Sequence, residues 1–105
     1  MILTVHLNPA VDRNGYLESL RTGQVNRLQE SAGSAGGKAV NVAKVLRQFH
    51  IPVAAAGFLG GSTGQLIEES LEKAGVTCHF TRIAGTTRTN VNIRTADGEI
   101  GRAHV

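Results

Sequence analysis

Apolar residues in this chain follow two periods in alternation, and that rhythm limits the fold more than any other feature. Residues 2–7 are apolar and β-branched and predict a strand. Asn8-Pro9 ends it, because proline donates no ladder hydrogen bond. Over 38–49 the spacing turns helical. Ala39, Val42, Ala43, Leu46 and Phe49 recur at intervals of three and four and predict one buried face, which Pro52 closes. Residues 53–58 form a short apolar run, expected as a strand covered on both faces. After Gly60-Gly61, Ser62 with Gln65 reads as a capping box. Leu66, Ile67, Leu71 and Ala74 supply the stripe of a second helix, and Gly75 its stop. Residues 76–83 predict another strand, and Gly85 turns the chain. Strand, helix, strand, helix, strand implies an α/β fold with a mostly parallel sheet and flanking helices.

Other segments fit that sheet less well. Residues 16–20 and 25–30 read as short extended pieces about a Thr22-Gly23 turn. Residues 88–95 alternate, with Val91 and Ile93 on one side and Asn90, Asn92 and Arg94 on the other. Together they predict a separate small sheet. Asp97-Gly98 is a hairpin signal that promises a returning strand. The stretch that follows, Ile100 to Val105, lacks strand alternation.

Composition narrows the function classes. At 105 residues and 41% hydrophobic, the chain has the size and apolar content of one small globular domain. No apolar run reaches the roughly 20 residues that span a bilayer, and the first residues lack the basic flank of a signal peptide. One cysteine, Cys78, cannot form an internal disulfide, which fits a reducing cytoplasm. The net charge of +3 is scattered and aromatics make up 4% of residues, so neither a basic stripe nor a base-stacking platform for nucleic acid is present. A small anionic ligand held by a few cations fits better.

The stretch GSAGGKAVN, residues 33–41, carries the chemistry. It is not a P-loop: only three residues separate Gly33 from Gly37-Lys38, and Ala39 stands where a Mg²⁺-binding hydroxyl is required. No G-x-G-x-x-G dinucleotide pattern follows a strand either. The physics of an anion site survives. Glycines let backbone N–H groups approach an anion, and a helix beginning near Lys38 points its positive dipole end at the same place. An ordinary glycine turn is the rival. The histidines at 6, 50, 79 and 104 have no metal-ligand spacing. Cys78 reads as a small core residue rather than a nucleophile.

Four segments occur in order: LNPAVD (7–12), AGGKAVNVAKVL (35–46), GFLGGSTG (57–64) and TRTNVNI (87–93). With them residues 1–99 resemble the N-terminal part of the ribokinase-like (PfkB) carbohydrate kinases. The likeness is greatest to the branch that phosphorylates sugar phosphates, 1-phosphofructokinase and tagatose-6-phosphate kinase. The resemblance implies a ribokinase-like α/β fold with a small β lid formed near 16–30 and 88–95. It also implies that the glycine loop lines a sugar-phosphate pocket rather than an ATP site. Asp12 would hold sugar hydroxyls, Asn41 the hydroxyls or the phosphate, and Gly36 and Gly37 would let the backbone close on the sugar. Arg27, Lys38 and Arg88 would meet the phosphate. Each has a plainer reading: Asp12 as a turn residue, the three cations as solvated charges.

The family's catalytic aspartate and ATP site belong to a C-terminal Gly-Ala-Gly-Asp-like motif, and no such motif occurs here. The expectation is an N-terminal fragment with no catalytic residue of its own. The parent would be a cytoplasmic kinase that uses ATP and Mg²⁺ to convert fructose 1-phosphate to fructose 1,6-bisphosphate. Tagatose 6-phosphate and fructose 6-phosphate are the alternative acceptors, and a non-catalytic sugar-phosphate binder is a rival class. The resemblance further implies a homodimer through the lid, with no nucleic-acid or membrane partner. Residues 100–105 are expected to be a non-native tail, since EIGRAHV matches a sequencing adapter read in one frame. A sheet cut after its first strands is expected to leave apolar surface open and to aggregate.

Overall fold

The computed structural model describes residues 1–19, 22–25, 27, 29–30, 33–96 and 100–104, with the backbone alone at 30 and 100–104. Three parallel strands form the main sheet: β1 (Ile2–His6), β5 (Val53–Leu59) and β6 (Thr77–Arg82), with β5 in the middle. Two helices pack on it, α1 (Lys38–Gln48) and α2 (Gly61–Lys73). A second sheet is inserted between β1 and α1 and completed after β6. It contains β2 (Ala10–Leu17), β3 (Gln29–Glu30), β4 (Ser34–Gly36), β7 (Arg88–Thr95) and β8 (Ile100–His104). β2 is its hub, parallel to β7 and antiparallel to β3 and β4. The α/β class, the mostly parallel main sheet, the flanking helices and the separate small sheet all agree with the sequence reading.

The core lies between the helices and one face of the main sheet. Val53, Ala55 and Leu59 of β5 meet Val40 and Ala43 of α1 and Ile67 and Leu71 of α2. Val11 and Ala35 of the second sheet join the same cluster, which ties the two sheets together. Each fully buried Leu or Ile there contributes about 1.5–3 kcal/mol. On β1, Thr4 and His6 are buried, whereas the alternate residues Leu3 and Val5 are 59% and 53% exposed. Phe58 of β5 is exposed in the same way. One face of the main sheet is therefore covered and the other open, so the expectation that β5 is covered on both faces does not hold at Phe58.

Four local expectations need correction. The buried stripe of α1 is Val40 and Ala43 with Leu46 beside them, whereas Val42 and Phe49 are exposed. The helix turns its three-residue stripe towards β1 and β5, and the longer-spaced apolar set is left outside. Ser62 does not cap α2. That helix begins at Gly61 with Gly60 as N-cap and no capping hydrogen bond from its own sequence. Part of the glycine stretch is strand, because Ser34–Gly36 pairs with β2, and β2 itself starts at Ala10, six residues before the expected extended piece. Finally, Ile100–His104 forms β8, antiparallel to β7, a returning strand although the stretch lacks strand alternation. Backbone pairing along an edge needs no side-chain alternation. The Asp97-Gly98 turn signal, Glu99 and Val105 lie outside the described residues, as do residues 20, 26 and 28 of the expected extended pieces.

Candidate functional site

β1 ends at His6, and the chain crosses Asn8 and Pro9 into β2. It returns through β4 and Gly37 into α1. These two passages and the start of β7 enclose a cleft of about 330 Å³, within the usual range for a small-molecule site. Asn8, Pro9, Gly36, Gly37, Lys38 and Arg88 line it, with His6. The cleft sits beyond the carboxyl end of a parallel strand, where α/β sheets commonly bind ligands.

Backbone geometry sets one wall. Gly37 caps α1 at φ 105°, a left-handed conformation that favours glycine, and its carbonyl accepts the first helical hydrogen bond from Asn41 N–H at 3.2 Å. No side chain caps this end and no acidic residue lies in the first turn. The orphan N–H groups and the positive end of the helix dipole therefore favour an anion. Gly36 lacks a Cβ for a different reason: a methyl there would overlap the Asp12 carboxylate.

Strand register sets the other wall. In the parallel β2/β7 pair, Ala10 lies beside Arg88 and Asp12 beside Asn90. The Asn90 amide donates to Asp12 Oδ1 at 3.1 Å, and its carbonyl oxygen accepts from Arg88 at 3.3 Å. Arg88 also donates to the Asn8 carbonyl at 3.3 Å. Carboxylate, amide and guanidinium thus form one connected set, with Arg88 partly buried at the cleft wall.

Four of the seven sequence-derived site residues, Gly36, Gly37, Lys38 and Arg88, line the cleft itself. Asp12 adjoins it through Asn90 and against Gly36. Asn41 is exposed in the first turn of α1, bonded through its N–H to Gly37. Arg27 stands apart, in a separate depression with Tyr16, Glu18 and Gln29 on the small sheet. Sequence reading missed Asn90 and His6. Asn90 was legible only as a polar position in an alternating strand, and its role depends on pairing with a strand 78 positions away.

Among the described residues no three His, Cys, Asp or Glu lie close enough to hold a metal ion. Burial pushes the Cys78 thiol up to about 11, with Glu72 and Glu68 adding to the effect, so it has little thiolate character at neutral pH. Among the described residues no helix is long and apolar enough to cross a membrane.

Fold and cleft together define an α/β domain whose second, smaller sheet borders a cleft at the start of α1. The chain belongs to the pfkB family of carbohydrate kinases, whose sequence profile matches residues 5–104. It is similar to a Staphylococcus aureus protein assigned as a phosphofructokinase: 31% identity and a TM-score of 0.86, over 98% of this chain and 34% of that one. A Thermotoga maritima protein assigned as a 1-phosphofructokinase shares 33% identity with a TM-score of 0.79, over 99% of this chain and 34% of that one. Escherichia coli phosphofructokinase-2, solved with fructose-6-phosphate, shares 25% identity with a TM-score of 0.76, over 96% of this chain and 34% of that one. The chain therefore spans about one third of the length of these structures.

Proposed function

We propose that this chain supplies the acceptor site of a sugar-phosphate kinase, and that the acceptor is fructose 1-phosphate. One observation carries the reading: the α1 start, Lys38 and Arg88 line a single cleft, and the Asp12–Asn90 pair adjoins it through Arg88 and Gly36. Lys38, Arg88 and the first-turn N–H groups of α1 suit a phosphate. Charge-assisted hydrogen bonds of this kind contribute about 1.5–3 kcal/mol each, enough to prefer a phosphorylated sugar over a free one. Asp12, which only accepts when ionised, suits sugar hydroxyls, and Asn41 offers both donor and acceptor at the helix start. Gly36 and Gly37 let the sugar approach the backbone. Arg27 lines a separate depression with Tyr16, Glu18 and Gln29, and its part in meeting the phosphate belongs to this proposal as the resemblance gives it.

The donor would be ATP with Mg²⁺, as the family implies. Among the described residues no three His, Cys, Asp or Glu lie close enough to hold the ion. What this chain contributes is positioning: it holds the acceptor's anion at the helix start and its hydroxyls near Asp12. The small sheet, as a lid, would carry the homodimer contact.

Titration of the chain with fructose 1-phosphate, fructose 6-phosphate and tagatose 6-phosphate, without ATP, tests the reading. Fructose 1-phosphate is expected to bind tightest, and Asp12→Asn to weaken it about tenfold. Preference for another isomer would overturn the choice of acceptor, and no binding by any of them would overturn the acceptor site.

A further inference from the structure

Alternate residues of a strand share a face, so Arg88 and Asn90 of β7 stand together on one face of the small sheet, with Asp12 of β2 beside Asn90. Chemistry fixes which way the Asn90 amide points. An ionised carboxylate only accepts and a guanidinium only donates. The NH₂ group must face Asp12 and the carbonyl must face Arg88, and both bonds are made, at 3.1 and 3.3 Å. The bond from Asn90 engages Asp12 Oδ1. Oδ2 lies against Gly36, which lines the cleft. It is neither hydrogen-bonded among the described residues nor sealed from solvent. Asp12 forms no ion pair among the described residues, although a guanidinium lies one strand residue along. The amide stands between the two charges. A direct pair would neutralise both groups, and a ligand would have to displace it.

We propose that Asn90 is a positioning residue of the acceptor site. Its amide holds Asp12 and Arg88 apart, so that Asp12 Oδ2 takes a sugar hydroxyl while Arg88 meets the phosphate. The inference rests on the proposed sugar-phosphate reading and deepens it. Arg88 Nε is sealed within the protein, so contact with the phosphate falls to the Nη atoms. The matching ligand carries an anion and a hydroxyl donor in one molecule. Asn92 provides an internal comparison. Two residues along the same face, its amide bonds Asn14 at 3.1 Å with no charge at either end.

Calorimetric titration of the 105-residue chain and its variants with fructose 1-phosphate tests this. Asn90→Leu keeps the side-chain shape and removes both bonds. It is expected to weaken binding about tenfold, and Asp12→Asn with Asn90→Leu together also about tenfold rather than a hundredfold, because both act through one carboxylate. Asn92→Leu removes the neighbouring bond and is expected to change binding by less than about twofold. Asn90→Asp gives a readout that a merely structural amide would not move. It keeps an acceptor for Arg88 and sets a second carboxylate beside Asp12. The other charged or titratable groups around that pair are Lys38 at the start of α1 and His104, which stands beside residue 90 in the β8 register. Two carboxylates so placed share one proton as the pH falls, and the shared proton restores a donor. The loss relative to Asn90 is therefore expected to be large at about pH 8 and to shrink towards about pH 5.5. Both proteins meet the same ester, so its own ionisation cancels, and His104→Gln in both removes that imidazole. Additive losses in the double variant overturn the inference, as does a loss from Asn90→Asp that ignores pH. Should Asn90→Leu fail to fold, the pH dependence of Asn90→Asp decides. Unchanged affinity in a folded Asn90→Leu chain also overturns the inference, and the acceptor reading then stands. If the unsubstituted chain binds no fructose 1-phosphate, both fall.

Discussion

His50 and Gly75 occupy the same position at the ends of the two helices. In each case the residue after the C-cap adopts positive φ, 60° at His50 and 89° at Gly75. Its N–H bonds the carbonyl three residues back, and the following residue bonds five back: His50 to Arg47 and Ile51 to Leu46, Gly75 to Glu72 and Val76 to Leu71. These are paired Schellman closures. Glycine takes that conformation freely, but a histidine carries a steric cost of about 1–2 kcal/mol. Replacing His50→Gly is expected to stabilise the chain by about 0.5–1 kcal/mol, after the greater unfolded-state freedom of glycine is subtracted. A urea midpoint raised without a change in slope would show it. An unchanged or lowered midpoint would mean the histidine side chain contributes more than its conformation costs. Gly75 was legible in the sequence as a helix stop because glycine announces positive φ. His50 announces nothing, so the identical closure there was invisible. His6 was legible only as a strand residue without metal spacing, since its burial against Phe80 depends on a strand 74 positions away.

At the scale of elements, α2 shows why a correct helix can carry a wrong cap. Ser62 and Gln65 have the spacing of a capping box, but the helix starts before them. Its first turn is held from outside by Thr87 of the chain entering β7. Thr87 Oγ1 accepts from Gly60 N–H at 3.0 Å, and Thr87 N–H donates to the Gly60 carbonyl at 2.9 Å. Thr63 Oγ1 donates to the Thr87 carbonyl at 2.6 Å. This clasp locks the small sheet to the main one beside the Arg88 wall of the cleft. Thr87→Val removes the buried acceptor and is expected to cost about 1–3 kcal/mol in chemical denaturation. Ser62→Ala, by contrast, is expected to change stability by less than about 0.5 kcal/mol. The reverse order would restore the capping box. The positions of the helices and of the main-sheet strands were readable because their apolar periods are local. The α1 face and the clasp were not, because packing against other elements decides both.

For the whole molecule, the open face of the main sheet is the dominant surface feature. Leu3, Phe58 and Leu7 are exposed together with Val5, and the Val42, Val45 and Phe49 side of α1 is exposed as well. Contiguous apolar surface of this kind drives self-association. The chain is expected to bind an environment-sensitive apolar dye and to self-associate as concentration rises. The double variant Leu3→Thr, Phe58→Ser should reduce both while the far-ultraviolet spectrum stays unchanged. A monomer at all concentrations with no dye binding would show that the face is harmless. Four motif segments read in order placed the chain in its family, and most of the site residues taken from them lie in or beside one cleft. Arg27, which lies outside the four segments, lines a separate depression with Tyr16, Glu18 and Gln29.

The most direct measurement is calorimetric titration of the chain with fructose 1-phosphate and with fructose, at two salt concentrations. If the cleft is an anion-anchored sugar site, fructose 1-phosphate binds and fructose does not. Lys38→Ala and Arg88→Ala then each weaken the phosphate ester about tenfold, and salt weakens it further. Equal binding of fructose and its phosphate, or affinity untouched by losing both cations, would contradict that central claim.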